Sequence, residues 1–364
     1  MTTSKLFEPL PLARGPAMKN RFMLAPLTNQ QSHADGTLSD EEFNWLVKRA
    51  EGGFGLTMTC AAHVQAVGQG FPGQLGVFGD QHLKGLSRLA AAIKAHGSVA
   101  AMQLHHAGMR SPAELVGTPV SASDDAATGA RALSLAEVEQ LRDDFIAAAV
   151  RAERAGFDGV EVHGAHGYVL TQFLSAETNR RDDRYGGSLE NRARIVREII
   201  DGIRAECRPD FQLGLRLSTE RFGVELMEIR ELAGEVLAAG KIDYLDLSLW
   251  DVFKEPAEEA HKGRSLLSYF TDLPRGEVRL GAAGKIMSAA DAEAVVAAGC
   301  DYVLIGRAAI LRHDFPERVR RDAAYTSPPL PVSKDHLRGE ALSEAFIDYM
   351  RRFPGFVAPD AEAA

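Results

Sequence analysis

The chain has 364 residues, of which 45% are hydrophobic and 25% are charged, the proportions of an ordinary globular protein without a disordered or fibrous bias. Its formal net charge of −9 argues against a nucleic-acid-binding surface, and it offers no basic stripe for a membrane of anionic lipid. The three cysteines are far apart and form no C-x-x-C pair, which argues against a disulfide framework and against cysteine-ligated zinc or iron–sulfur sites. The sequence shows no signal peptide and no apolar run of ~20 residues, so the expected location is the cytoplasm.

Eight short apolar runs recur along the chain and predict parallel β-strands. Near-continuous apolar runs are typical of strands that are buried on both faces. In chain order, the predicted strands are Arg21–Leu27, Gly55–Ala61, Ser98–Leu104, Gly159–His163, Gln212–Ser218, Tyr244–Ser248, Val278–Ala282 and Tyr302–Ile305.

Amphipathic helices are predicted between these strands. Ser39 precedes three acidic residues and begins one helix, and Ser134 with Glu137 has the spacing of a second capping box. Alternation of helices with eight strands favours a closed barrel over an open doubly wound sheet, so the predicted fold class is α/β, a single (β/α)8 TIM barrel. Further helices are predicted over Gln81–His96, Leu189–Glu206, Ile229–Ala239 and Ala289–Ala298.

One domain over residues 1–364 is expected, because no linker rich in Pro, Ser or Gly divides the chain. Two insertions, Met109–Arg131 after the third strand and Trp250–Arg275 after the sixth, are expected to form lids at the C-terminal end of the barrel. The tail from Ala324 contains one predicted helix, Gly339–Arg352, and is expected to pack on the barrel or on a partner subunit.

Polar residues follow the predicted strands at their C-terminal ends, where the active sites of such barrels gather. Gly284 and the Gly306-Arg307 pair come after the last two strands, the usual phosphate position of this fold, although tight turns alone would also explain the glycines. Arg216 on the fifth strand needs an anionic partner, and Gln103 on the third can both donate and accept hydrogen bonds. A structural ion pair and an amide bridge are the alternatives for these two.

The sharpest local pattern is His163-Gly-Ala-His166-Gly-Tyr168, where the fourth strand leaves the sheet. Both histidines can turn inward as paired donors to a carbonyl oxygen or a developing oxyanion, with Tyr168 nearby as a proton donor. A metal site is a second interpretation, for which His105 or His106 would supply the third ligand. Histidines satisfied within the core are a third.

Five motifs together resemble the old yellow enzyme family, and the similarity runs from about Leu6 to Asp314. The resemblance implies noncovalently bound FMN, NAD(P)H as the reductant, an ene-reductase that acts on activated C=C bonds, and a homodimer. The motifs are MKNRFMLAPLTN (Met18–Asn29), MQLHHAG (Met102–Gly108), FDGVEVHGAHGYVLTQFLSAETNRRDDRYGGSLENRAR (Phe157–Arg194), GLRLS (Gly214–Ser218) and IGR (Ile305–Arg307).

Carried over by motif, the resemblance also implies individual roles. His163 and His166 would bind the substrate oxygen, Tyr168 would donate the proton, and Gln30 would lie in the substrate site. Cys60 and Met109 depart from the family pattern, which leaves the substrate range and the subclass open. The implied flavin-binding residues are Ala25, Pro26, Leu27, Thr28, Ala61, Gln103, His163, Arg216, Gly284, Gly306 and Arg307.

Three other functions compete with this hypothesis. One is a flavin-dependent dehydrogenase or demethylase of small amines or cyclic ketones on the same barrel. Another is a flavin-binding module without turnover, and the third is a metal-dependent lyase or aldolase barrel. The expected partners under the favoured hypothesis are a small-molecule alkene and a nicotinamide, with neither nucleic acid nor membrane involved.

Overall fold

Eight parallel strands close into a barrel in the computed structural model, which describes residues 4–359. The barrel order is β1, β2, β3, β6, β7, β8, β9 and β10, and β10 pairs back with β1. This confirms the predicted (β/α)8 class. In chain order the strands are β1 (Phe22–Leu24), β2 (Leu56–His63), β3 (Val99–His105), β4 (Val120–Ser121), β5 (Arg131–Ala132), β6 (Gly159–Gly164), β7 (Gln212–Ser218), β8 (Tyr244–Ser248), β9 (Arg279–Ala283) and β10 (Tyr302–Ile305).

Helices follow the barrel strands and cover the outside of the sheet. The two predicted serine N-caps are confirmed. The Ser39 side chain accepts a hydrogen bond from the Glu42 N–H, and Ser134 forms a complete capping box with Glu137. The helices are α1 (Asp40–Glu51), α2 (Leu83–Ala95), α3 (Ala113–Val116), α4 (Leu135–Arg154), α5 (Val169–Leu174), α6 (Leu189–Arg192), α7 (Arg194–Glu206), α8 (Leu226–Ala239), α9 (Ser268–Thr271), α10 (Ala289–Ala297), α11 (Arg307–Leu311), α12 (Phe315–Arg321), α13 (Lys334–Gly339) and α14 (Glu344–Arg351).

Two predicted helices have different boundaries in the structure. The segment predicted as one helix over Leu189–Glu206 is divided at Ala193 into α6 and α7. The tail helix predicted over Gly339–Arg352 begins only at Glu344, because the Ser343 side chain caps it by accepting from the Phe346 N–H. Gly339 instead ends the separate helix α13.

The barrel interior is filled with apolar side chains at its N-terminal end. Met23, Met58, Tyr244 and Tyr302 belong to one buried cluster there, together with the N-terminal loop residue Met18. The loop pairs Leu10 with Met18 by two backbone hydrogen bonds and contributes both side chains to the cluster. Because this end is packed, the polar residues of the barrel interior are left to the C-terminal end.

The C-terminal segment packs against helix α1. The rings of Trp45 and Phe346 lie 5.5 Å apart in an edge-on arrangement, and the buried Arg49 donates to the Glu340 carbonyl oxygen at 2.7 Å. These contacts fix α14 beside the barrel. Among the helices of residues 4–359, none combines the length and apolarity that a bilayer crossing requires.

Candidate active site

Two adjoining cavities open at the C-terminal end of the barrel. The first, the histidine cavity, measures about 500 Å³ and is lined by Gln103, His163, His166 and Tyr168 among others. The second, the glycine cavity, measures about 670 Å³ and contains Gly306 and Lys285 in its wall. The two cavities share part of their walls, formed by Pro26, Leu27, Arg216, Trp250, Ala283, Gly284, Arg307 and Phe353.

A row of three histidines forms one wall of the histidine cavity. His163 Nε2 lies 2.8 Å from His166 Nδ1, and the other nitrogen of His163, Nδ1, lies 2.9 Å from Nδ1 of His105. His166 Nε2 in turn lies 2.6 Å from the Ser248 hydroxyl, which also accepts from Arg216 at 3.3 Å. The row therefore connects three strand ends, those of β3, β6 and β8.

The backbone of His166 is held in an unusual conformation. Its φ is 64°, a left-handed value that costs a non-glycine residue roughly 1–2 kcal/mol. The His166 N–H donates to the Ser218 hydroxyl at 2.8 Å, which anchors the turn to the end of β7. This turn brings the His166 ring back beside His163, two rings that the strand alone would separate.

The three imidazoles of the row are neutral. Burial, with additional repulsion from neighbouring histidines and from Arg110, holds the pKa values of His105 and His163 well below the usual range. Burial followed by Arg216 and Arg110 does the same to His166. A neutral imidazole has one donor and one acceptor nitrogen, so donors and acceptors alternate along the row. A change in the tautomer of one ring therefore requires a change in the tautomers of its neighbours.

Tyr168 completes this part of the site. Its ring lies 4.4 Å from the His105 ring and 5.3 Å from the His163 ring, between centroids. The guanidinium of Arg110 lies 4.9 Å from the same Tyr168 ring and donates to the His166 carbonyl oxygen. The sequence predicted Tyr168 as the neighbour of the histidines, but the place of Arg110 was not anticipated.

The metal interpretation of these histidines finds no support in the geometry. His163 uses both ring nitrogens in hydrogen bonds to other histidines, and His106 Nδ1 accepts from the Gly108 N–H at 3.0 Å. Within residues 4–359, no group of three or more His, Cys, Asp or Glu residues is arranged to hold a metal ion.

Two carboxyl groups that sequence reasoning missed lie beneath the cavity. Glu161 accepts from Gln103 Nε2 at 2.8 Å, and Asp246 lies 3.0 Å from Arg216 Nε. Burial raises the pKa of Glu161, with a further contribution from the nearby Asp246, and burial likewise raises that of Asp246, although Arg216 opposes this. Both were detectable, because Glu161 and Asp246 stand two positions before His163 and Ser248 on the same strands and so face the same side.

One wall of the glycine cavity, at Gly284, has no room for a side chain. Gly284 has a φ of 154°, and a Cβ there would lie 2.7 Å from backbone atoms of Trp250 and Asp251. At Gly306 a Cβ would approach only the Leu27 side chain, at 3.6 Å, and that of Ala25. Arg307 is exposed beside them, and among the described residues no carboxylate lies within ion-pair distance of it.

Most of the residues predicted from the sequence meet at these cavities. Gln30 does not, since it belongs to the lining of neither one and adopts a left-handed φ of 56° in the loop after β1. The predicted residues that line one or both cavities are Ala25, Pro26, Leu27, Thr28, Ala61, Gln103, His163, His166, Tyr168, Arg216, Gly284, Gly306 and Arg307.

An aromatic and apolar wall was missed from the sequence. It comes largely from the C-terminal segment, and its side chains line the histidine cavity. The abundance of aromatic residues near the end of α14 was the available signal. The residues of this wall are Phe71, Phe222, Leu330, Tyr349, Met350, Phe353 and Phe356.

Comparison with known proteins gives a consistent result. Residues 5–325 match the model of the NADH:flavin oxidoreductase / NADH oxidase family. The chain is 36% identical over 327 residues to a probable NADH-dependent flavin oxidoreductase, YqiG, of Bacillus subtilis, covering 86% of this chain and 87% of that protein.

Solved structures show the same similarity. An old yellow enzyme homologue from Zymomonas mobilis superimposes with a TM-score of 0.80 at 26% identity, covering 93% of this chain and 98% of the other. Morphinone reductase in complex with tetrahydroNAD superimposes with a TM-score of 0.79 at 28% identity, covering 99% of each chain.

Proposed function

Because the chain belongs to the NADH:flavin oxidoreductase / NADH oxidase family, that of old yellow enzyme, we propose that it binds FMN noncovalently and reduces activated alkenes. The chain is an NAD(P)H-dependent flavin oxidoreductase; noncovalent FMN as the cofactor and an activated alkene as the substrate are what we propose. The observation that carries the proposal is the pair of neutral imidazoles, His163 and His166, beside the Tyr168 ring on one wall of a largely apolar cavity. This is a site built to hold an uncharged, polarisable oxygen.

The residues present fit FMN. The unpaired guanidinium of Arg307, together with the close backbone approach at Gly284 and the open space at Gly306, suits a phosphate group. Gln103 and Arg216 contribute polar groups to the lining of the histidine cavity, where they suit the pyrimidine edge of the ring system. The backbone from Ala25 to Thr28 and that of Ala61 would line the ring.

The bound flavin would accept hydride from NAD(P)H and supply it to the β-carbon of the alkene. On substrate binding the hydrogen bond between His163 Nε2 and His166 Nδ1 would open, and both nitrogens would donate to the activating oxygen of the alkene, which makes the β-carbon more electrophilic. Their lowered pKa values keep them uncharged, so they act as hydrogen-bond donors fixed in place rather than as acids. The Tyr168 hydroxyl would deliver a proton to the α-carbon.

The aromatic wall of the C-terminal segment would exclude water from the reacting groups. Tyr349, Phe353 and Phe356 lie on the same cavity as the histidines. A drier site strengthens the hydrogen bonds from the imidazoles, because water would otherwise compete for the same oxygen.

An anaerobic titration of the FMN-loaded protein tests this function. NADPH or NADH is expected to bleach the visible absorption of the flavin, and 2-cyclohexen-1-one is expected to restore it. Bleaching by a small amine instead of NAD(P)H would indicate the dehydrogenase or demethylase. Protein that takes up no FMN, or that NAD(P)H fails to bleach, would contradict the proposal.

A further inference from the structure

The charged groups that line the histidine cavity are all positive. Three arginines, Arg110, Arg216 and Arg307, contribute to its lining, and no aspartate or glutamate does. A cavity with this imbalance favours an anionic ligand, since uncompensated positive charge in a partly apolar site attracts negative charge.

Two of the arginines already have a role. Arg216 is neutralised by Asp246, with its Nε 3.0 Å from the carboxylate. Arg307 stands on the wall shared with the glycine cavity, where the proposed function assigns it to the cofactor phosphate. Arg110 differs from both, because it lines the histidine cavity and not the glycine cavity. Among residues 4–359, no carboxylate lies within ion-pair distance of it.

Arg110 is held in place by contacts that do not include a carboxylate. A short turn over Gly108–Arg110 follows β3, and the Met109 N–H donates to the Gln172 side chain at 3.1 Å. The guanidinium donates to the His166 carbonyl oxygen and rests 4.9 Å from the Tyr168 ring. Both contacts leave other N–H groups of the fork unused.

The position of Arg110 relative to the histidines fits a second binding point for the same substrate. Its positive charge reaches the row, because Arg110 is among the causes that lower the pKa values of His105, His163 and His166. Its contacts with the His166 carbonyl oxygen and the Tyr168 ring put it on the Tyr168 side of the histidine pair, and all of these residues line one cavity, so one small molecule can contact both.

We propose that Arg110 binds a carboxylate of the substrate, so that the preferred alkene carries two groups, an activating carbonyl for His163 and His166 and a carboxylate for Arg110. This inference rests on the proposed function and adds the substrate class to it. An ionised carboxylate activates a double bond only weakly, so the carbonyl on the histidine pair is needed for the reaction. The alkene gains one hydride and one proton, NAD(P)H becomes NAD(P)+, and the carboxylate is unchanged.

Monomethyl fumarate and dimethyl fumarate are a matched pair for the test, because both carry an ester carbonyl and only the monoester carries a carboxylate. The native enzyme is expected to show a KM for the monoester about 10-fold below that for the diester, as one charge-assisted contact implies. Arg110→Gln is expected to remove this preference, and Arg110→Lys to retain most of it. The preference is also expected to shrink at high salt.

Arg352→Gln is the control, since Arg352 is an exposed arginine next to the same cavity, near the Tyr349 ring, but is not part of the lining. Calorimetric titration of oxidised enzyme with the monoester, without reductant, gives a second readout that is independent of turnover. A monoester-to-diester ratio that stays within twofold in Arg110→Gln would overturn the inference. If 2-cyclohexen-1-one reoxidises the reduced enzyme and neither ester does, the inference about Arg110 also fails while the proposed function stands. If neither the esters nor cyclohexenone reoxidise it, the proposed function fails, and the two failures are thereby distinguished.

Discussion

The Nδ1 atoms of His105 and His163 lie 2.9 Å apart, so the imidazole proposed to bind substrate is itself held from behind by another imidazole. His105 is fully buried at the end of β3, and its Nε2 has no hydrogen-bond partner among the described residues. Since one of the facing nitrogens must donate and the other accept, His105 selects the tautomer of His163.

Replacement of His105 is therefore expected to act through His163. His105→Leu removes one buried hydrogen bond, worth ~1 kcal/mol, and is expected to lower kcat/KM for cyclohexenone by roughly 5–10-fold. The FMN content is expected to remain unchanged. Because His105 is among the causes that lower the pKa of His163, the acid limb of the pH profile is expected to move to higher pH. An unshifted profile would show that His105 is only a packing residue.

Replacement of His163 is expected to damage the alkene half-reaction most. His163→Ala removes one of the two donors to the activating oxygen, and the loss of such a donor lowers the rate by about 10²- to 10³-fold. Stopped-flow reoxidation of the reduced enzyme by cyclohexenone measures this effect. The bound-flavin spectrum serves as the control for folding. A rate within threefold of the native enzyme would remove His163 from the oxygen-binding role.

Replacement of Arg307 is expected to weaken FMN binding. Arg307→Ala removes a charge-assisted contact to phosphate worth ~1.5–3 kcal/mol, which corresponds to a Kd higher by about 10- to 100-fold. Quenching of FMN fluorescence by the apoprotein measures the affinity. Arg320→Ala is a matched control, because Arg320 is an exposed arginine that pairs with Glu317 away from both cavities. Equal affinities for the two variants would contradict the phosphate assignment.

Acid is expected to destabilise the fold through buried neutral histidines. Burial lowers the pKa of His106 to about 3 and that of His63 to about 4, whereas an unfolded histidine titrates near ~6.5. Below that pH the unfolded chain binds more protons than the native one. The free energy of unfolding is therefore highest above pH ~6.5 and decreases as the pH falls toward the pKa values of the folded state. At pH 5 the decrease is ~2 kcal/mol for each of the two histidines.

Urea unfolding of the apoprotein between pH 5 and pH 7.5 measures this effect without a contribution from FMN binding. His106→Gln is expected to flatten the pH dependence, because glutamine keeps an acceptor for the Gly108 N–H but cannot take up the proton. His96→Gln, at an exposed position, is the control and is expected to leave the slope unchanged. Equal slopes for both variants would show that His106 is not responsible.

The strands were predictable from the sequence because each depends on a local property. Gln212–Ser218 and Tyr244–Ser248 have the same limits in the prediction and in the structure. In both strands every side chain is buried, whether it points into the barrel or toward the surrounding helices. The division of Leu189–Glu206 at Ala193 was not predictable from periodicity, because both pieces continue the same helical pattern.

The site was predictable only where its residues stand in short motifs. His163, His166 and Tyr168 lie within six residues of each other, whereas the contacts of Ser248 and Arg110 with them depend on how separate strands and turns meet. The spacing along the chain contains no information about such contacts. For the same reason the pairing of His105 with His163 emerged only from the three-dimensional arrangement.

The packing of α14 on α1 has a consequence for how substrate range diverges in such proteins. The strand ends proposed to hold the cofactor are distant in the chain from the C-terminal segment, which supplies Tyr349 in α14 and Phe353 just after it. Contacts such as that of Trp45 with Phe346 join the two parts. Substitutions or length changes in the final helix can reshape the cavity and leave the barrel chemistry intact. Chimeras that exchange this helix between relatives are thus a direct route to altered selectivity.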